Sequence, residues 1–291
     1  MKDSENMSKK ISRGKAVGGC FLALAVLVLD QSLALFISLP LPALGLSGAV
    51  CNTVAGLLYA AFALGGALLL GLKFFALSPE ALRLAPRRPE PVWLLSAPVL
   101  PTLVLLAYMA LGAHWTVSPM EPQSRSAVIA GALVFYGLAA GIAEELVFRG
   151  LIMGSLERAF DVRLAVLLPS VLFGALHLIG GGVSLLGALQ LIIAGSLVGI
   201  LFSLITLESG SVWNAAIVHG LWNAVFAGGL VHVGNTAERE AVFSLVFNSS
   251  SFLLTGGDFG VEASLVSALA YAVFGLLAYR LMKKKGILKN S

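Results

Sequence analysis

Ala143-Glu144-Glu145-Leu146-Val147-Phe148-Arg149-Gly150 places two adjacent carboxylates and a guanidinium in a run that is otherwise apolar back to about residue 127. Charge at the centre of a bilayer costs several kcal/mol, so residues of this kind mark function by default. Working outward, apolar stretches of span length lie on both sides. Hydrophobic residues make up 58% of the 291 and charged residues only 12%, against about 25% charged in soluble domains. Mean hydropathy is +0.94. The composition predicts an all-α, polytopic membrane protein, because each run matches the ~20 residues a helix needs to cross a bilayer. A spanning barrel would alternate over short segments instead. No basic patch is interleaved with aromatics, so nucleic acid is excluded as a partner.

About eight transmembrane helices are predicted, at 16–38, 50–76, 92–112, 126–158, 164–179, 183–206, 211–231 and 261–282. The first is read as an uncleaved span, not a signal peptide. Pro98 and Pro101 predict a bend in the third. The chain reads as a single transmembrane domain over 1–291, with a cytoplasmic tail at 1–15 and a catalytic core at 127–231. Residues 113–126, 180–182 and 232–260 read as polar outer loops. They hold only Arg125 and Arg239, whereas Lys and Arg gather at the N-terminus, 73–88, 149–163 and 280–289. Eight spans put all four basic clusters on one side, which the positive-inside rule makes cytoplasmic together with both termini. Gly137/Gly141 and Gly195/Gly199 are small-residue pairs at the four-residue spacing that allows helices to approach closely.

Glu145 and Arg149 share a helix face at i,i+4, with the acid on the favourable N-terminal side. Glu144 is rotated about 100° from Glu145, so it points elsewhere and lacks that arginine. His177 ends Phe173-Gly174-Ala175-Leu176-His177, and roughly 21 Å of helical rise separates it from Arg163. Glu144 lies the same roughly 21 Å before Arg158, so a turn at 159–163 brings Glu144 and His177 to one depth, where both can polarise one water. His219-Gly220-Leu221-Trp222-Asn223 puts an imidazole and an amide one turn apart, donors suited to an oxyanion. Asp30, Gln190 and Asn214 lack partners at helical spacing and read as packing hydrogen bonds, and His114 and His232 as surface residues.

Together, Glu-Glu-x-x-x-Arg at 144–149, Phe-x-x-x-His at 173–177 and His-x-x-x-Asn at 219–223 resemble the three motifs of the CAAX-protease and bacteriocin-processing (Abi) family of intramembrane proteases. The resemblance covers about residues 127–231. It implies a helical bundle with an intramembrane catalytic cavity open toward the cytosol. It further implies that Glu144 and His177 activate water, that His219 and Asn223 hold the oxyanion, and that Glu145 and Arg149 support them. The expected substrate is a membrane-associated or membrane-inserted protein or peptide, and the expected site the inner (plasma) membrane of a bacterium or archaeon. A non-catalytic immunity, sorting or regulatory partner that keeps the motifs is the alternative. Members of the family have been called metalloproteases, and Glu144, His177 and His219 could hold zinc or another divalent metal with an open position. A Glu/His-activated water needs no ion, and the glutamic-type hydrolysis is the expected one.

Overall fold

A computed structural model describes residues 10–179, 182 and 184–287. Residues 1–9 of the expected tail, and Gly180 and Gly181 of the expected outer loop, lie outside the described residues. Among the described residues the chain is a helical bundle with eight principal helices: α1 (Arg13–Ser38), α2 (Gly48–Phe75), α3 (Pro91–Ala110), α4 (Pro122–Ala159), α5 (Val162–Leu176), α6 (Leu185–Ser209), α7 (Val212–Val225) and α8 (Leu265–Lys284). Side-chain oxygens cap the starts: Ser12, Ser47, Asp161, Ser184, Ser211 and Ser264 each accept a backbone N–H of the first turn. The left-handed Gly210 (φ 65°) ends α6 and frees the chain to reverse into α7.

Among the described residues six helices are long and apolar enough to cross a membrane, not eight: α1, α2, α3, α4, α6 and α8. The chain is therefore an integral, multi-pass membrane protein. Helix α5 has 15 residues and α7 has 14, about 21–22 Å each, well short of the ~30 Å hydrocarbon core. Their sequences look longer because apolar residues continue past the helix ends, through Leu178 and Ile179 and through Phe226 and Ala227. These two short helices carry the second and third motifs.

Helix α4 is the central element. Ala139, Ala143, Leu146, Val147 and Leu151 on it are all at most 1% exposed. It continues without a break through the glutamates to Ala159, as the spacing to Arg158 predicts. Two of its stretches, Gly131–Ala140 and Leu146–Ile152, are π-helical and flank the α-helical turn Gly141–Glu145, a widening often found where a helix serves a site. Helix α3 runs continuously through Pro98 and Pro101.

Glycine contacts seat both short helices. A Cβ on Gly141 would fall 2.7 Å from the Gly220 Cα, and one on Gly220 would fall 2.6 Å from the Gly137 carbonyl oxygen, so α7 lies directly on α4. A Cβ on Gly195 would fall 2.5 Å from the Gly174 Cα, so α5 lies on α6 in the same way. Gly220 adjoins His219, and Gly174 adjoins Phe173. The small-residue pairs thus position the two motif helices.

The loops that the sequence reading assigns to the outer side are more ordered than polar sequence alone suggests. Strands β1 (His114–Val117), β2 (Val231–Gly234) and β3 (Phe243–Val246) form a sheet in the order β1-β3-β2, with β1 antiparallel and β2 parallel to β3. Four-residue strands, one of which finds its partner more than a hundred residues away, leave almost no local signal. Gln190 and Asn214 make the packing bonds expected of them, to the Ala263 carbonyl (2.9 Å) and the Glu90 N–H (2.8 Å). Asp30 does not: it is buried, and its Oδ2 has no hydrogen-bond partner.

Candidate active site

The adjacent glutamates face different surroundings, as their rotation requires. Glu145 is fully buried, and its Oε1 accepts from Arg149 Nη1 (2.7 Å) and from His219 Nδ1 (2.8 Å). Arg149 is itself buried. Its Nη2 donates to the Gly199 carbonyl at 2.9 Å, and its guanidinium carbon lies 5.7, 5.0 and 5.2 Å from the ring centroids of Phe148, Phe173 and Phe202. A delocalised, weakly hydrated guanidinium suits such an aromatic surround better than an ammonium would.

Glu144 instead lines a cavity of about 270 Å³, and 21% of its side chain is exposed there. His177, His219 and Asn223 line the same cavity. All four residues assigned to chemistry by motif therefore converge, and the two assigned to support are withdrawn behind them. The match in depth between Glu144 and His177 agrees with this placement.

The hydrogen bonds fix which imidazole nitrogens are free. His177 is the C-cap of α5 rather than a residue within it, and its Nδ1 lies 2.7 Å from the Phe173 carbonyl of the last turn. A carbonyl only accepts, so Nδ1 carries the hydrogen and Nε2 is left as the acceptor of the neutral ring. The same bond satisfies a carbonyl that the helix end would leave orphaned. His219 stacks on Phe202 (4.5 Å between centroids, 21° between planes) and meets Phe173 edge-on at 5.7 Å. Because Glu145 takes the Nδ1 hydrogen, His219 turns Nε2 toward Glu144, 3.7 Å from its Oε2. Each imidazole is held through Nδ1, and on each Nε2 is the nitrogen left for chemistry.

Among the described residues no three His, Cys, Asp or Glu side chains are grouped as ligands of one metal ion.

Sequence reasoning missed Glu262, Trp222, Tyr271, Tyr59 and Phe259, which line the cavity with the motif residues. The aromatics carried no signal that distinguished them from other core residues. Glu262 falls at the start of the predicted last span, 261–282, and drew no separate reading.

Comparison with known proteins gives one match. Residues 126–225 fit the family model described as "Rce1-like: Type II CAAX prenyl endopeptidase Rce1-like". The match begins at Ser126 and ends at Val225, so all seven motif residues fall inside it. No curated protein and no solved structure matches the chain. Residues 126–225, the segment that holds all three motifs, are thus similar to the Rce1-like family of CAAX proteases.

Proposed function

We propose that the cavity hydrolyses a peptide bond of a membrane-associated protein or peptide, using a water activated by Glu144 and His177. The observation that carries this reading is the convergence of Glu144, His177, His219 and Asn223 on one cavity within the family-matched segment. Water lies between the Glu144 carboxylate and His177 Nε2, and gives up a proton to one of them as its oxygen attacks the scissile carbonyl carbon. The carbonyl oxygen becomes an oxyanion, which the Asn223 amide and His219 stabilise, the ring acting as an imidazolium with its Nδ1–H on Glu145 and its Nε2–H on the oxyanion. The C–N bond then breaks. The departing amine takes the proton that water gave up, and the carboxyl product remains. Glu145 and Arg149 hold the His219 ring in the orientation that this requires.

No step in this scheme passes through a metal. The substrate enters from the bilayer, so its apolar part supplies binding energy and its peptide bond reaches the water-filled cavity. We place both termini on the cytoplasmic face of a bacterial or archaeal inner membrane, from the clustering of Lys and Arg.

The test compares the termini of membrane-fraction proteins in cells lacking this protein, complemented with wild type or with Glu144→Ala. A protein trimmed only with wild type names the substrate. Trimming and phenotype both restored by Glu144→Ala would refute the catalytic assignment.

A further inference from the structure

The four basic clusters meet at one end of the bundle. Arg13 lies over the Phe160 ring (5.5 Å), Arg83 pairs with Glu157 (2.8 Å), and Lys285 pairs with Glu90 (2.9 Å) and Glu208 (2.7 Å). The residues of the candidate cavity gather toward the other end. His177 caps the last turn of α5, Asn223 lies in the last turn of α7, and Phe259 and Glu262 precede α8. Toward the basic end the cavity has a packed floor. Glu145, Phe148, Arg149 and Phe202 are each at most 2% exposed, and the guanidinium fills the space between the rings. On one flank, the contact of Gly137 and Gly141 with Gly220 seals α4 against α7. Beyond that seam is an apolar groove of about 880 Å³, which shares no lining residue with the cavity among the described residues. On the α8 side the 3-10 turn Val261–Ala263 is a fixed wall. Its three carbonyls accept from Ser267 Oγ (2.7 Å), Tyr271 Oη (3.1 Å) and Gln190 Nε2 (2.9 Å), and Glu262 Oε1 accepts from Trp222 Nε1 (3.0 Å).

At the end away from the basic clusters the cavity adjoins a second one, of about 730 Å³, lined by polar residues that include Asn52, Glu121, Glu238 and Arg239. Tyr136 and Ala227 line both cavities. Tyr136 precedes Glu144 by about two turns of α4, and Ala227 follows Asn223 by about one turn. Both are exposed, so the two residues stand at an opening and not in a packed wall. We propose that the active cavity is reached from the face opposite the basic clusters, through this polar vestibule, with Tyr136 and Ala227 at its threshold. Because clustered Lys and Arg mark the cytoplasmic side, the vestibule opens on the outer face, whereas the family resemblance implies a cavity open toward the cytosol. The substrate class follows from the route: a membrane-anchored protein whose scissile segment lies on the outer side, next to its anchor. That class rests on the hydrolytic reading of the cavity, and the route itself does not.

Single cysteines in the full-length protein test the route without turnover. Cys20→Ser and Cys51→Ser clear the background, since the chain has two cysteines. Ala227→Cys then reports the threshold and Ala140→Cys the cavity interior, one turn of α4 before Glu144. Arg88→Cys, at an exposed position in the 78–91 loop, reports the basic face. The probe is a charged, membrane-impermeant thiosulfonate, whose rate of reaction with a thiol depends on access. Right-side-out membrane vesicles should expose Ala227→Cys and Ala140→Cys to it, and inverted vesicles should expose Arg88→Cys. Adding Ala227→Trp should slow modification of Ala140→Cys by about tenfold or more. Ser124→Trp, which also narrows the vestibule, should act in the same direction. An unchanged gel-filtration profile in detergent shows that each plugged protein is folded, and where one plug alters it the other decides. The proposal is overturned if Ala227→Cys or Ala140→Cys reacts from the same face as Arg88→Cys, if neither face reaches Ala227→Cys, or if a folded plugged protein is modified at the unplugged rate. All of these are read on resting protein. A failure to find trimming would therefore refute the hydrolytic reading and leave the route standing.

Discussion

Replacing Arg149 by methionine tests whether the Glu145–Arg149 pair is structural support. The variant fills much of the space between Phe148, Phe173 and Phe202 with a flexible apolar chain, so lost packing is a minor part of its effect. The Gly199 carbonyl keeps a donor, because Ser203 Oγ also reaches it at 2.9 Å. The main consequence falls on Glu145, which is fully buried and keeps only His219 Nδ1. Breaking a buried pair by removing one partner costs about 3–5 kcal/mol. The surviving imidazole bond puts this case at the low end, about 3 kcal/mol, or roughly two decades in the folded-to-unfolded ratio. Glu145→Gln added to Arg149→Met removes the stranded charge and keeps an oxygen acceptor for His219. The double variant should therefore recover about 2 kcal/mol. Reversible unfolding by SDS in mixed micelles, followed by tryptophan fluorescence, reads both values. A double variant no more stable than Arg149→Met would refute the account, since the damage would then not come from an uncompensated carboxylate.

Asn223→Ala should lower the rate of substrate trimming by roughly 10²–10³-fold without loss of protein from the membrane, as for other oxyanion donors. A change under about threefold would remove it from that role. Gly220→Val should reduce folded yield sharply, because its side chain would meet the Gly137 carbonyl, and backbone cannot yield as a flexible side chain can. Normal yield with normal activity would show that α4 and α7 tolerate separation. Cleavage should persist after purified protein is dialysed against EDTA and 1,10-phenanthroline, and loss that zinc restores would reassign the water to a metal.

Much of this site was legible because hydrophobicity and charge conflict so openly there. Glu144, Glu145 and Arg149 stand out in any apolar run, and helix geometry alone separates the roles of the two acids. Depth counting from Arg158 and Arg163 put Glu144 and His177 at one level, and they do share a cavity. The lengths of α5 and α7 were not legible. Apolar composition does not mark where a helix stops, and α5 stops where His177 folds back onto the Phe173 carbonyl. The tie from Glu145 to His219 joins residues 74 apart. No spacing rule reaches across two intervening helices. Glu262 was hidden for a different reason: an acid in the first turn of a predicted span, 261–282, reads as an interfacial residue, and only the bond to Trp222 and the three anchored carbonyls set it apart.

Placing the acid proposed to support next in sequence to the one proposed to react has a mechanical consequence. Glu144 and Glu145 share one turn of α4, so whatever fixes the Glu145 backbone also fixes that of Glu144. Glu145 is fixed through two other helices at once, α7 through His219 and α6 through the Arg149 bond to Gly199. A shift of α6 or α7 would therefore move Glu144 along with them, and the distance from Glu144 to His219 Nε2 would change little. The free carboxylate itself accepts no hydrogen bond from α6 or α7 among the described residues, and it retains its lone pairs for water. A single glutamate could not do both: tied to Arg149 and His219 it would be held but occupied, and untied it would be available but poorly placed. Two adjacent acids resolve that conflict at the smallest separation a helix permits, and the burial of a guanidinium follows from it, because the acid that does the holding must be neutralised where water is absent.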